Sequence, residues 1–226
     1  MSGKGEQPPA RSRRARGDRR PWAHGQPEGG EALCGVFAGL GLAAFALDLA
    51  GGCELGGKSD GKTDGMSALA EADDLCAVLD RVRRLPYVDG SRVFSMGCGQ
   101  GGSASAPVAA KGPSGVAGLA MSCPAPCVPD GARRGKTVLA RFDPSSAPAH
   151  LWCGPMGLGR CCAGDATGLD PPKGIGACAG PVPMARGAKD EAVAARHDEE
   201  AYRRRGERCG SADGRRRRAR LCWRMR

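Results

Sequence analysis

The stretch Val93-Phe94-Ser95-Met96-Gly97-Cys98-Gly99-Gln100-Gly101-Gly102 restricts the folds open to this chain more than any other. An apolar run stops abruptly in four glycines, and small residues follow. That order predicts a buried strand, a tight turn and the start of a helix. Glycine is needed where a backbone bends sharply or where a helix packs closely on its strand.

The elements before it support an α/β reading. Met66 to Leu85 carries Leu69, Ala72, Leu75, Cys76, Leu79 and Val82 at helical spacing, which predicts one apolar stripe. Glu71, Asp73 and Asp74 lie early and Arg81, Arg83 and Arg84 late, matching the helix dipole, and Pro86 ends the helix. Upstream, 32–38 reads as a short helix and Leu42-Ala43-Ala44-Phe45-Ala46-Leu47 as a fully buried strand, followed by a glycine-rich loop to Gly65. Strand, helix and the strand Arg92–Met96 then form a βαβ unit with parallel strands. A helix over Ser103–Lys111, bent by Pro107, and a strand over Gly115–Met121 close a second unit. Beyond Ser122 the pattern weakens. Thr137-Val138-Leu139-Ala140 is a short strand candidate, prolines, glycines and cysteines interrupt 151–187, and Asp190–Arg205 reads as a final, highly charged helix.

Charge separates the ends from the middle. The chain has a formal charge of +10, yet residues 1–20 hold seven basic and two acidic groups and residues 203–226 hold eleven and two. The middle, 21–202, is therefore net −4. The expected organisation is a disordered basic arm at 1–21, an α/β domain at 22–200 with 124–200 poorly defined, and a basic tail at 201–226. Such arms bind phosphate-rich partners without a folded surface, so nucleic acid is one expected partner and a nuclear-import patch another role. Few aromatics accompany them beyond Trp22, Tyr202 and Trp223, so base stacking is not indicated. Aromatics are 4% of the chain, and the core must rest on Ala, Val, Leu and Cys. No secretory signal is expected in the polar first thirty residues, and Ala32–Leu47 is short and glycine-interrupted for a membrane span. The twelve cysteines then read as free thiols of a reducing, cytoplasmic setting.

Two other motifs point nowhere further. Cys123, Cys127, Cys153, Cys161, Cys162 and Cys178 lack the paired spacing of a zinc site, so no metal is expected. Gly97, Gly99 and Gly102 fit a dinucleotide-binding pattern, but no acid follows the next strand before Asp130, so no cofactor is expected either.

Residues 24–123 resemble the α/β-hydrolases, particularly the dienelactone-hydrolase and prolyl-oligopeptidase-like branch. The glycine cluster is similar to the nucleophile elbow, G-x-S-x-G, with Gly97 and Gly101 on its glycines. His24-Gly25 stands where the oxyanion loop stands, and Ala46-Leu47-Asp48-Leu49-Ala50-Gly51-Gly52 is similar to the strand ending in Asp and a glycine-rich turn. The resemblance implies a partial doubly wound, mostly parallel sheet and a carboxylic-ester or peptide hydrolase acting on a small ester or acyl compound. It also implies oxyanion or anion binding by Gly25, Gly99, Gln100 and Gly101, an acid at Asp143, and a histidine at His197, with His150 as its competitor.

The nucleophile position, however, is Gly99, which has nothing to attack with. Cys98, one residue early, reads as a small buried residue, or alternatively as the thiol of a weak esterase. The expectation is thus a noncatalytic relative that binds without cutting. Two alternatives stand beside it: an interaction protein with nucleic-acid-binding ends, and a Cys98 thiol hydrolase.

Overall fold

The computed structural model describes residues 29–47, 49–51, 60–111, 115–137, 140–153, 156–187, 193–194, 196–205, 212–213 and 219–222. His24-Gly25 and the arginine-rich arm lie outside them.

The N-terminal helix α1 (Gly29–Gly39) forms as expected. The strand expected at Leu42–Leu47 does not. These residues are extended but unpaired, and Leu42, Phe45 and Leu47 are exposed. Six apolar residues favour a strand, but a strand exists only with a neighbour to bond, and none is present among the described residues. The chain is fastened again just beyond, where the Ala50 amide donates to Asp74 Oδ2 at 2.8 Å and the Gly51 amide to the Asp60 carbonyl.

Helix α2 (Ala68–Arg83) is capped by Ser67, whose Oγ accepts from the Ala70 amide. Its buried line is Ala68, Glu71, Ala72, Leu75 and Leu79. Leu69, assigned to the stripe from sequence, faces solvent. The buried line is turned from the expected one and takes in an acidic residue.

β1 (Phe94–Gly99) leads directly into α3 (Gln100–Ala109), which starts three residues before the expected helix and keeps Pro107 inside it. β2 (Gly118–Pro124) follows, shifted three residues toward the C-terminus from its predicted position, and pairs parallel with β1. The segment after Ser122, where the sequence pattern weakens, holds several short elements among its described residues. It contains α4 (Val128–Arg133), the two-residue strands β3 (Lys136–Thr137) and β4 (Ala140–Arg141), the hairpin β5 (His150–Cys153) and β6 (Met156–Gly159), α5 (Arg160–Gly168) and α6 (Pro171–Ala177). At the strand candidate Thr137–Ala140, Thr137 of β3 pairs antiparallel with Ala140 of β4. Breakers concealed these elements because each is only a turn or two long and depends on its neighbours for stability.

β7 (Met184–Gly187) pairs parallel with β2, and α7 (Arg196–Arg204) is the expected charged helix, begun later. From the stretch read as a solvated tail, β8 (Ala212–Asp213) and β9 (Ala219–Cys222) join the far edge antiparallel, completing the order β1-β2-β7-β9-β8. The architecture is a mixed α/β sheet whose first three strands are parallel.

The main core lies on one face of this sheet. Leu119, Met121 and Met184 meet Leu75 and Leu79 of α2, Ala106 and Val108 of α3, Ile175 of α6 and Tyr202 of α7. Tyr202 Oη donates to the Val182 carbonyl at 2.7 Å and accepts from the Met184 amide at 3.2 Å, tying α7 to the entry of β7. A second, smaller core joins Met66, Ala140, Leu151, Leu158, Ala163 and the free thiols Cys153 and Cys162. Among the described residues no helix is long and apolar enough to cross a membrane.

Candidate functional site

The site is the junction of β1 and α3. Gly99 sits at φ 53°, ψ −121°, a conformation L-residues rarely adopt, and the pairing with β2 shifts register between Cys98 and Gly99. The glycines around it have separate reasons. A Cβ on Gly97 would meet the Gly101 carbonyl oxygen at 2.5 Å and the Gly102 nitrogen at 2.6 Å, so helix and strand approach too closely for any side chain. A Cβ on Gly102 would press on Pro124 of β2 at 3.1 Å. At Gly99, a Cβ would meet nothing within 4 Å. The turn is sharp and strained like a nucleophile elbow, and the space for the side chain is open.

Gly99 offers α3 no side-chain cap, so the first amides of the helix, from Gln100 and Gly101, form the uncapped positive end of its dipole. Below, Ser95 Oγ and Ser105 Oγ lie 3.3 Å apart, and Ser105 donates to the Gly101 carbonyl at 2.7 Å, bracing the first turn. From α2, Glu71 reaches the same turn. Gln100 Nε2 donates to Glu71 Oε1 at 2.7 Å, while Glu71 Oε2 is buried with no hydrogen-bond partner. Burial pushes the Glu71 carboxyl up to about 7, Asp74 adds to the rise and the Gln100 hydrogen bond opposes it. Nearby, Ser67 donates to Asp165 of α5.

The structure brings Gly99, Gln100 and Gly101 together and places the other candidates elsewhere. Ser95 and Gly97 face α3, so by strand alternation Phe94, Met96 and Cys98 face the opposite side. Cys98 is therefore exposed, not the buried residue expected from sequence, and it points away from α3. Asp143 lies in an exposed loop after β4, outside the main sheet. The Ser145 hydroxyl and amide both donate to its carboxylate, at 2.6 and 2.9 Å, and hold it below the usual carboxylate range. His197, on α7, has Nδ1 4.0 Å from Asp130 Oδ2 of α4; burial, with Arg196, pushes its pKa down. His150 is exposed at the start of β5. Gly25 lies outside the described residues. Among those described, no group of three or more His, Cys, Asp or Glu side chains is placed to hold a metal ion.

Glu71 was the residue missed. Its signal was present: it stands four residues before Leu75 and eight before Leu79, on the line that is buried. A carboxylate at that register has to find a partner or give up its charge.

The sheet and this turn together define an α/β fold of the α/β-hydrolase type. Among solved structures, the chain is similar to Est1E from Butyrivibrio proteoclasticus with ferulic acid bound, at 24% identity and a TM-score of 0.62 over 70% of this chain and 61% of that one. A second structure of Est1E matches at 23% identity and a TM-score of 0.56, over 62% and 57% of the two chains. At this identity the likeness is one of fold, and the chain spans about three-fifths of Est1E, 61% in the first structure. No family model and no curated protein sequence matches the chain.

Proposed function

We propose that this chain is a hydrolase-like protein that binds a small ester or acyl compound at the elbow and does not cleave it. The observation that carries the reading is Gly99. The turn keeps its strained backbone and the helix its uncapped amides, while the position that would attack a carbonyl has no side chain. Donors at a helix start act on a carbonyl oxygen or an anion whether or not a nucleophile is present. Est1E, which shares the fold, holds ferulic acid, an aromatic carboxylic acid, and this suggests ligands of similar size.

The test is hydrolysis of a small activated aryl ester by the purified chain and by Gly99→Ser. A serine side chain has room there, and the positive-φ backbone costs it about 1–3 kcal/mol. The expected result is no turnover by the wild type and none gained by Gly99→Ser, because neither His150 nor His197 stands at the turn to take the serine proton. Wild-type turnover that survives Cys98→Ala would overturn the noncatalytic reading, and turnover lost with Cys98→Ala would replace it with the thiol mechanism.

A further inference from the structure

We propose that two copies of this chain pair reciprocally, the extended segment 42–47 of each adding as a strand along the open edge of β1 in the other. The inference is independent of the reading of the elbow.

The two edges of the main sheet differ. At the far edge β8 is two residues long and carries Asp213. Shortness and charge are the ordinary means by which a sheet edge is kept from pairing with another chain. At the near edge β1 has neither. Its six residues, Phe94-Ser95-Met96-Gly97-Cys98-Gly99, include no charged side chain and no proline, and among the described residues it pairs with β2 alone. The outward backbone groups of such an edge are a template for one further strand.

The chain also carries a strand of matching length. Residues 42–47 are extended, uncharged and free of proline, and no described strand pairs with them. Both ends are fastened: the Leu42 amide donates to the Phe37 carbonyl of α1 at 3.0 Å, and just beyond the segment the Ala50 amide donates to Asp74 Oδ2. Strand addition is made by backbone and leaves the side chains on the faces, where apolar cross-strand neighbours favour it. By alternation Phe45 and Leu47 share one face of the segment, as Phe94 and Met96 share one face of β1, and all four are exposed. A second copy is the occupant because each chain offers one open edge and one open strand, and a two-fold arrangement uses both at once. Each pairing runs about 20 Å, and the two together bury roughly 800–1,000 Å² in all, the low end for a specific contact. The dimer is therefore weak and dissociates on dilution.

The experiment measures the mass of the full chain by light scattering between about 1 and 300 μM, the range in which so small a contact titrates. The expected result is a shift from one chain to two, with amide exchange slowed in 42–47 and along β1 only where the dimer is populated. The double variant Ala43→Pro/Ala44→Pro removes one amide of each alternation, so the one that faces the partner is lost whichever it is. It should stay a single chain throughout and keep the circular dichroism of the wild type, because no described strand of its own chain pairs with the segment. A single wild-type chain at every concentration would overturn the proposal. So would a dimer that persists in the double variant, or growth beyond two chains. Slowed exchange in 42–47 that is independent of concentration would also overturn it, in favour of pairing within one chain.

Discussion

The two faces of β1 run along the same six residues and meet opposite surroundings. The face toward α3 carries Ser95 and Gly97, small or polar, and is buried; the other carries Phe94, 52% exposed, and Met96, 40% exposed. Hydrophobicity alone would have turned the strand over. What decides its orientation is how closely α3 must approach: the Gly101 carbonyl lies where a Cβ on Gly97 would be, and no larger residue fits. The segment 33–47 repeats the lesson. It is as apolar as any core element, yet Leu40 is 71% exposed, because no described strand or helix covers it. Burial belongs to the pair of surfaces, and the sequence of one partner specifies only half of it.

The comparison can be broken most severely at Gly97. Gly97→Ala places a methyl group against backbone, so helix and strand must separate; the expected loss is about 3 kcal/mol or more, read as a drop in denaturant midpoint or failure to fold. Leu119→Ala, on the covered face at 0% exposure, should cost about 2–5 kcal/mol, whereas Met96→Ala on the open face should cost well under half of that. Equal losses in parallel urea titrations would mean that the open face is covered in solution.

Glu71 sharpens the contrast by its pH dependence. Its carboxyl is pushed up to about 7 from an ordinary 4.5, so between these values the folded chain binds a proton that the unfolded chain has released. That interaction favours the fold below the unfolded value and is lost as pH rises through the folded one. Glu71→Gln should leave stability unchanged near pH 4 and raise it by up to about 3 kcal/mol near pH 8, as measured by urea unfolding at both. A difference of the opposite sign would show that the ionised form finds a partner in the fold. Tyr202→Phe, which strips the Val182 carbonyl and Met184 amide of their shared hydroxyl, should cost about 1–3 kcal/mol. At the small end, Phe45→Ser in the uncovered segment should change stability by less than about 0.5 kcal/mol.

Helix α2, strand β1 and the turn into α3 were legible in the sequence because their signals are local. Periodic apolar residues, a stop at Pro86 and glycines at fixed offsets need no distant partner to be read. The hairpin β5–β6 and helices α5 and α6 were not legible. Residues 151–187 contain few strong formers; the hairpin and α5 exist because Leu151, Leu158, Ala163 and Cys162 close a second core around Met66, which is far away in the chain, and α6 because Ile175 packs into the main core. The candidate site divides in the same way. Gln100, Gly101 and Cys98 follow from the elbow pattern, whereas Asp143 and His197 rest only on order along the chain. The fold gives Asp143 to Ser145, His197 to Asp130, and Cys98 to the outer face of its strand.

By itself, then, the sequence determined the strand–turn–helix at residues 94–109 and the absence of a nucleophile at its apex, since glycine content and the identity of residue 99 are properties of the chain alone. Only the tertiary structure decided that Leu42–Leu47 pairs with no strand among the described residues, that β7 rather than the Thr137–Ala140 run extends the parallel sheet, and that Glu71 lies buried against Gln100. Strand pairing and carboxylate burial depend on which surfaces arrive from elsewhere, and the free energy of each is set by that contact.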